Sequence, residues 1–204
     1  GWMLSTVRAR APTAPLYAVG VSLGGSALLN WLGREERKAR ATLVAAATVS
    51  APLDLAAAGI AIGQGFNRIY ASHFLSTLVP KALAMAQRFP GTLDAAAIRR
   101  AKSMHAFDDA VTAPLHGFGG ARDYWRRASS KPWLGGVAVP ALVLNAKNDP
   151  FIPASSLPEA NAVSRAVTLE QPAQGGHAGF AAAPFPDNLD WLPGRLLQFF
   201  ARAQ

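Results

Sequence analysis

The chain contains no cysteine, which excludes disulfides, thiolate metal sites and a cysteine nucleophile together. It is also short of acid: 12 Asp and Glu stand against 20 Lys and Arg, for a net charge of +8 and a pI near 10.6. A nucleic-acid partner would call for a dense basic stripe with interleaved aromatics. The cations fall instead in short, scattered groups: Arg34, Arg37, Lys38 and Arg40, then Arg99, Arg100 and Lys102, then Arg126 and Arg127. Such groups read as solvated faces, and no nucleic-acid partner is expected. A membrane-length apolar run is lacking too. The longest candidate, 41–62, is interrupted by Pro52, Asp54 and Gly59, short of the roughly 18 apolar residues a span needs. No secretory signal is visible, and the cytoplasm is the expected compartment.

What is there describes a globular protein. Half of the 204 residues are hydrophobic and 16% are charged, enough for one domain with a sizeable core. Residues 1–10 read as the end of a helix closed by Pro12 and Pro15. The apolar run 16–19, bounded by Gly20, reads as a buried strand. A helix follows, with Leu23, Ala27, Leu28, Trp31 and Leu32 on one face and Gly33 expected at its C-terminal cap. Further strands are expected at 43–49, 141–145 and 167–170. Helices are expected at 155–163 and 189–202, the last burying Leu192, Leu196, Leu197, Phe199 and Phe200. Strands alternating with helices predict an α/β domain around a mostly parallel sheet. Residues 53–116 break that alternation. They are helical in composition and apolar, with Pro80 expected to open a new helix, and they read as a helical cap inserted into a domain covering 1–204.

The sharpest motif is Gly20-Val21-Ser22-Leu23-Gly24, a G-x-S-x-G between an expected strand and an expected helix. A nucleophile on such a turn has a strained backbone, and small neighbours are needed where strand and helix approach closely. Gly20 and Gly24 are expected to supply that room. The N-terminus of the helix directs free N–H groups toward a developing oxyanion, and Leu23 N–H is the expected donor. Serine needs a base, and the base an orienting acid. In this arrangement the chain order is Ser, then Asp or Glu, then His. Asp149 follows the strand at 141–145, at the edge of a parallel sheet where ligands bind. His177, in Gly175-Gly-His-Ala-Gly-Phe180, follows the last strand on a glycine-rich loop. His73 falls in the helical insertion, and both His105 and His116 precede the proposed acid, so all three are set aside.

With these motifs in place the chain resembles the YheT-type α/β-hydrolases, a family of esterase-like serine hydrolases. The resemblance runs through Ala18-Val-Gly-Val-Ser-Leu-Gly-Gly25, Val49-Ser-Ala-Pro-Leu-Asp-Leu55, Phe107-Asp-Asp109, Asp123-Tyr-Trp125, Asn148-Asp-Pro-Phe151 and Gly175-Gly-His-Ala-Gly-Phe180. It implies Ser22, Asp149 and His177 as a catalytic triad cleaving a carboxylic ester through an acyl-enzyme; the apolar residues of 53–116 favour an apolar small-molecule substrate, and no metal or organic cofactor is needed. Ser26 departs from the family, which has asparagine there. The resemblance also implies an upstream segment on the order of a hundred residues. That segment would hold the first strands and a His-Gly loop with a second oxyanion donor. Its absence is expected to leave a strand edge open to self-association and to lower the rate roughly 10²–10³-fold. Thioesterase or lipase activity, or a non-catalytic fragment that pairs with a separate N-terminal polypeptide, are the alternative readings.

Overall fold

In the computed structural model, which describes residues 1–181 and 189–203, the element order is α1 (Trp2–Arg10), β1 (Tyr17–Val21), α2 (Leu23–Glu35), β2 (Ala45–Val49), α3 (Leu55–Ala61), α4 (Asn67–Arg88), α5 (Ala95–Arg100), α6 (Met104–Phe107), α7 (Ala113–Leu115), α8 (Ala121–Ala128), β3 (Ala141–Leu144), β4 (Val167–Glu170) and α9 (Trp191–Arg202). The four strands form one parallel sheet in the order β1-β2-β3-β4. The chain divides into two compact units, one of residues 1–53 and 130–204, the other Asp54–Ser129.

In the sheet-bearing unit every residue of β2 and β3 is buried, as expected of parallel strands covered on both faces. Their side chains alternate between two cores. Ala46, Ala141 and Val143 pack with Leu29, Leu32, Leu134 and Val139. Ala47, Val49, Leu142 and Leu144 pack with Phe180 and, from α9, Leu192, Leu196, Phe199 and Phe200. Leu197, expected on that buried face, is 69% exposed, because the stripe on α9 is narrower than its run of apolar residues. β1 pairs on one side only among the described residues, and Val19 and Val21 are about half exposed.

Gly33 is not the cap of α2. The helix runs on to Glu35, and Glu36 takes the left-handed conformation with φ of 50°. Gly33 is a close-approach residue: a Cβ there would lie 2.2 Å from the carbonyl oxygen of Trp133. Beside it the Arg34 guanidinium lies 4.2 Å over the Trp133 ring. The helix expected at 155–163 is replaced by two short 3₁₀ turns, Ala154–Ser156 and Ala160–Ala162. Pro158 lies between them, and its lack of an N–H interrupts the helical ladder.

The unit Asp54–Ser129 is helical. Asp54 caps α3, its Oδ1 accepting from the N–H groups of Ala56 and Ala57. Pro80 does not open a helix; it lies inside α4. Both it and Ser76, whose carbonyl loses its partner, are exposed, so water can replace the missing bond. Leu75, Ile98, Phe107 and Val111 form the core. Asp108 is nearly buried, and its two oxygens accept from Thr112 Oγ1 at 2.6 Å and Trp125 Nε1 at 2.8 Å. Burial pushes its carboxyl pKa up, against the opposing pull of those two hydrogen bonds. Among the described residues no helix is long and apolar enough to cross a membrane.

Two substitutions test this account of the packing. Gly33→Ala forces backbone apart at Trp133 and is expected to lower stability by about 1–3 kcal/mol in denaturant unfolding. Unchanged stability would show that the approach is soft. Asp108→Ala leaves the buried Trp125 N–H unpaired, at an expected cost of about 1–3 kcal/mol, read by the same measurement.

Candidate active site

The C-terminal ends of the strands lie in register: Val21, Val49, Leu144 and Glu170 form one row across the sheet. The next residues extend it by one hydrogen bond each. Ser22 N–H donates to Val49 O at 2.9 Å, Ser50 N–H to Leu144 O at 2.8 Å, and Asn145 N–H to Glu170 O at 3.0 Å. The sheet thus places Ser22 one step past β1, and the segment carrying Asp149 two strands away, on the same edge.

Ser22 has φ of 76° and ψ of −120°, a conformation that costs a non-glycine residue about 1–3 kcal/mol. The turn closes because β1 and α2 nearly touch. A Cβ on Gly20 would sit 2.6 Å from Gly25 Cα, and one on Gly25 would sit 2.9 Å from both Gly20 O and Ala51 Cβ. Gly24, expected to share this duty, has nothing within 4 Å of its would-be Cβ. The room comes from Gly20 and Gly25. Ser22 makes no side-chain cap to α2, so its hydroxyl is left for another partner. Leu23 N–H begins the helix, where the first N–H groups have no acceptor within it.

That partner is His177: Ser22 Oγ lies 3.0 Å from His177 Nε2. On the other side of the ring, Nδ1 lies 2.8 Å from Asp149 Oδ2. The Asp149 side chain is fully buried, and its other oxygen accepts from Phe151 N–H at 2.8 Å. An acceptor of this kind selects the tautomer with the proton on Nδ1, which leaves Nε2 to accept from the serine hydroxyl. The structure therefore brings Ser22, His177 and Asp149 into one chain of hydrogen bonds. His73, His105 and His116 all belong to the helical unit.

Two supports, Phe151 and Asn148, escaped the sequence reading. Phe151 packs edge-on against the His177 ring, with centroids 4.7 Å apart. Asn148 braces the loop: its Oδ1 accepts from Gly176 N–H at 2.9 Å and its Nδ2 donates to Gln174 Oε1 at 2.7 Å. Gly176 has φ of 63°, a conformation that favours glycine, and this was the one local signal of that brace. Gly175 lets the loop pass close to Ala146 and Phe180, both 2.7 Å from its would-be Cβ. Behind Ser22, the buried hydroxyl of Ser26 donates to Ser130 Oγ at 3.3 Å. Among the described residues no group of three or more His, Asp and Glu side chains is placed to hold a metal ion.

A serine on a strand-to-helix turn, with histidine and aspartate on later loops of the same parallel sheet edge, defines the class. A family model described as the alpha/beta hydrolase fold matches residues 1–184, and the chain belongs to that family. It is 34% identical over 197 residues to the Escherichia coli (strain K12) protein YheT, a match covering 96% of this chain and 57% of that protein. It is 33% identical over 190 residues to Phospholipase ABHD3 of Mus musculus, covering 92% and 46% respectively. The chain thus spans about half the length of the curated relatives it matches. Among solved structures, a monoacylglycerol lipase from Paleococcus ferrophilus has the same fold, with a TM-score of 0.51 at 13% identity over 99% of this chain and 75% of that one.

The two glycines after the serine separate cleanly by substitution. Gly25→Ala is expected to lower stability by about 1–3 kcal/mol through overpacking. Gly24→Ala, facing open space within a helix, is expected to be neutral or stabilising by about 0.4–1 kcal/mol. Melting curves of the two variants check this, and equal effects would contradict the geometry.

Proposed function

We propose that the chain is a serine hydrolase acting on carboxylic esters of small, apolar molecules, with Ser22, His177 and Asp149 as its triad. The observation that carries this reading is the relay from Ser22 Oγ to His177 Nε2 at 3.0 Å and from His177 Nδ1 to Asp149 Oδ2 at 2.8 Å. Ser22 Oγ attacks the acyl carbonyl while His177 Nε2 takes its proton. Asp149 keeps its charge, holds the imidazole tautomer and stabilises the imidazolium. Leu23 N–H donates to the oxyanion of the tetrahedral intermediate. Collapse breaks the ester C–O bond, and the alcohol leaves with the proton from Nε2. A water activated by His177 then cleaves the acyl-Ser22 ester and releases the acid. The names of the relatives carry the words esterase and phospholipase, which supports an ester as the substrate. The same steps serve a thioester or a glyceride.

A second reading is favoured by β1, whose outer edge is unpaired among the described residues. Such an edge accepts a further strand, and a chain that needs one for turnover would be a partner-dependent hydrolase.

The test is hydrolysis of a short-chain p-nitrophenyl ester by the chain and by its Ser22→Ala variant. The expected result is measurable turnover that falls roughly 10⁴–10⁶-fold in the variant. A folded chain without Ser22-dependent turnover would overturn the primary reading and favour the second.

A further inference from the structure

The helical unit carries a cavity of its own. On α4, Arg68, Ser72, Leu75 and Val79 recur at three- and four-residue spacing and so share one face. They line a cavity of about 880 Å³ bounded also by Arg99, Lys102 and Trp125, and every residue lining it belongs to the unit Asp54–Ser129. That size falls within the range of roughly 300–1,000 Å³ common for small-molecule sites.

Its chemistry is divided. Leu75 and Trp125 are each less than a tenth exposed, and Val79 is partly buried. The indole N–H of Trp125 is taken up by Asp108, so what that ring offers the cavity is hydrocarbon. Against this wall stand three cations. No acidic residue lines the cavity, and neither Arg68, Arg99 nor Lys102 pairs with a carboxylate among the described residues. His105 also lines it, but Asp109 lies 3.3 Å from its Nδ1 and matches its charge when protonated.

We propose that this cavity binds a single-chain amphiphile with an anionic head, the head held by Arg68, Arg99 and Lys102 and the chain laid along Leu75, Val79 and Trp125. A neutral lipid would leave the cations unmatched. A small anion would leave the apolar wall wet, and a cationic amphiphile would be repelled. Carboxylate and phosphate heads share the required chemistry. The inference does not rest on ester hydrolysis, since the ligand is held and not cleaved.

Isothermal titration of the full chain carrying Ser22→Ala, which removes turnover from the signal, tests it. The probes are dodecanoate and dodecyl phosphate below their micellar concentrations, 1-dodecanol and acetate. Saturable one-site binding of one or both dodecyl anions is expected, with dodecanol and acetate at least about tenfold weaker; the tighter anion names the head. The double variant Arg99→Glu/Lys102→Glu is expected to lose about tenfold or more in affinity at unchanged circular dichroism and melting temperature. Ser72→Trp, which fills the space from an exposed position, is expected to abolish binding while keeping the cations. Absence of saturable binding, equal binding of dodecanol or acetate, or undiminished affinity in either folded variant would overturn the proposal.

Discussion

The left-handed backbone at Ser22 is the constraint on which the rest of the candidate site depends. A serine with φ of 76° is unfavourable in isolation and persists only where its surroundings over-determine it. Three features do so. The Ser22 N–H is tied to Val49 O, which fixes the turn to the neighbouring strand. Gly20 and Gly25 allow β1 and α2 to meet at distances that no Cβ would tolerate. Leu29 and Leu32 lock α2 onto the sheet through fully buried contacts. The strain thus lifts the hydroxyl clear of the helix end and into reach of His177.

The histidine is held by a different logic. Its loop has no regular structure, so its position comes from a few specific contacts: Asn148 on Gly176, Phe151 against the ring and Asp149 on Nδ1. Asn148, Asp149 and Phe151 all lie in the short segment that follows β3. One loop therefore supplies both the carboxylate on His177 and the brace, and coupling them keeps the hydrogen-bond chain in register with a rigid sheet.

The legible parts of the fold were those with a local signature. Alternating strands and helices, the G-x-S-x-G turn and the chain order of serine, aspartate and histidine are properties of short stretches, and the structure sets His177 within hydrogen-bond distance of both Ser22 and Asp149. What misled were residues with two physical uses. Gly33 looks like a cap because caps and close approaches both call for glycine, and only the position of Trp133 decides between them. Gly24 and Gly25 are adjacent and identical, yet the helix turns one outward and the other into Ala51. Pro80 survives inside α4 because its face is exposed, a fact that its neighbours in sequence do not encode. The cavity of the helical unit was invisible for the same reason: Arg68 is distant in the chain from Arg99 and Lys102 and meets them only through the packing of α4 and the segment around α5.

The central claim is that this strained turn presents an activated nucleophile. The most direct measurement is intact mass and peptide mapping after reaction with a fluorophosphonate, which reports an activated serine without any choice of ester substrate. A single adduct on Ser22 is expected, formed far more slowly when His177 is replaced by alanine. A folded chain that takes up no adduct, or takes it up at another residue, would contradict it.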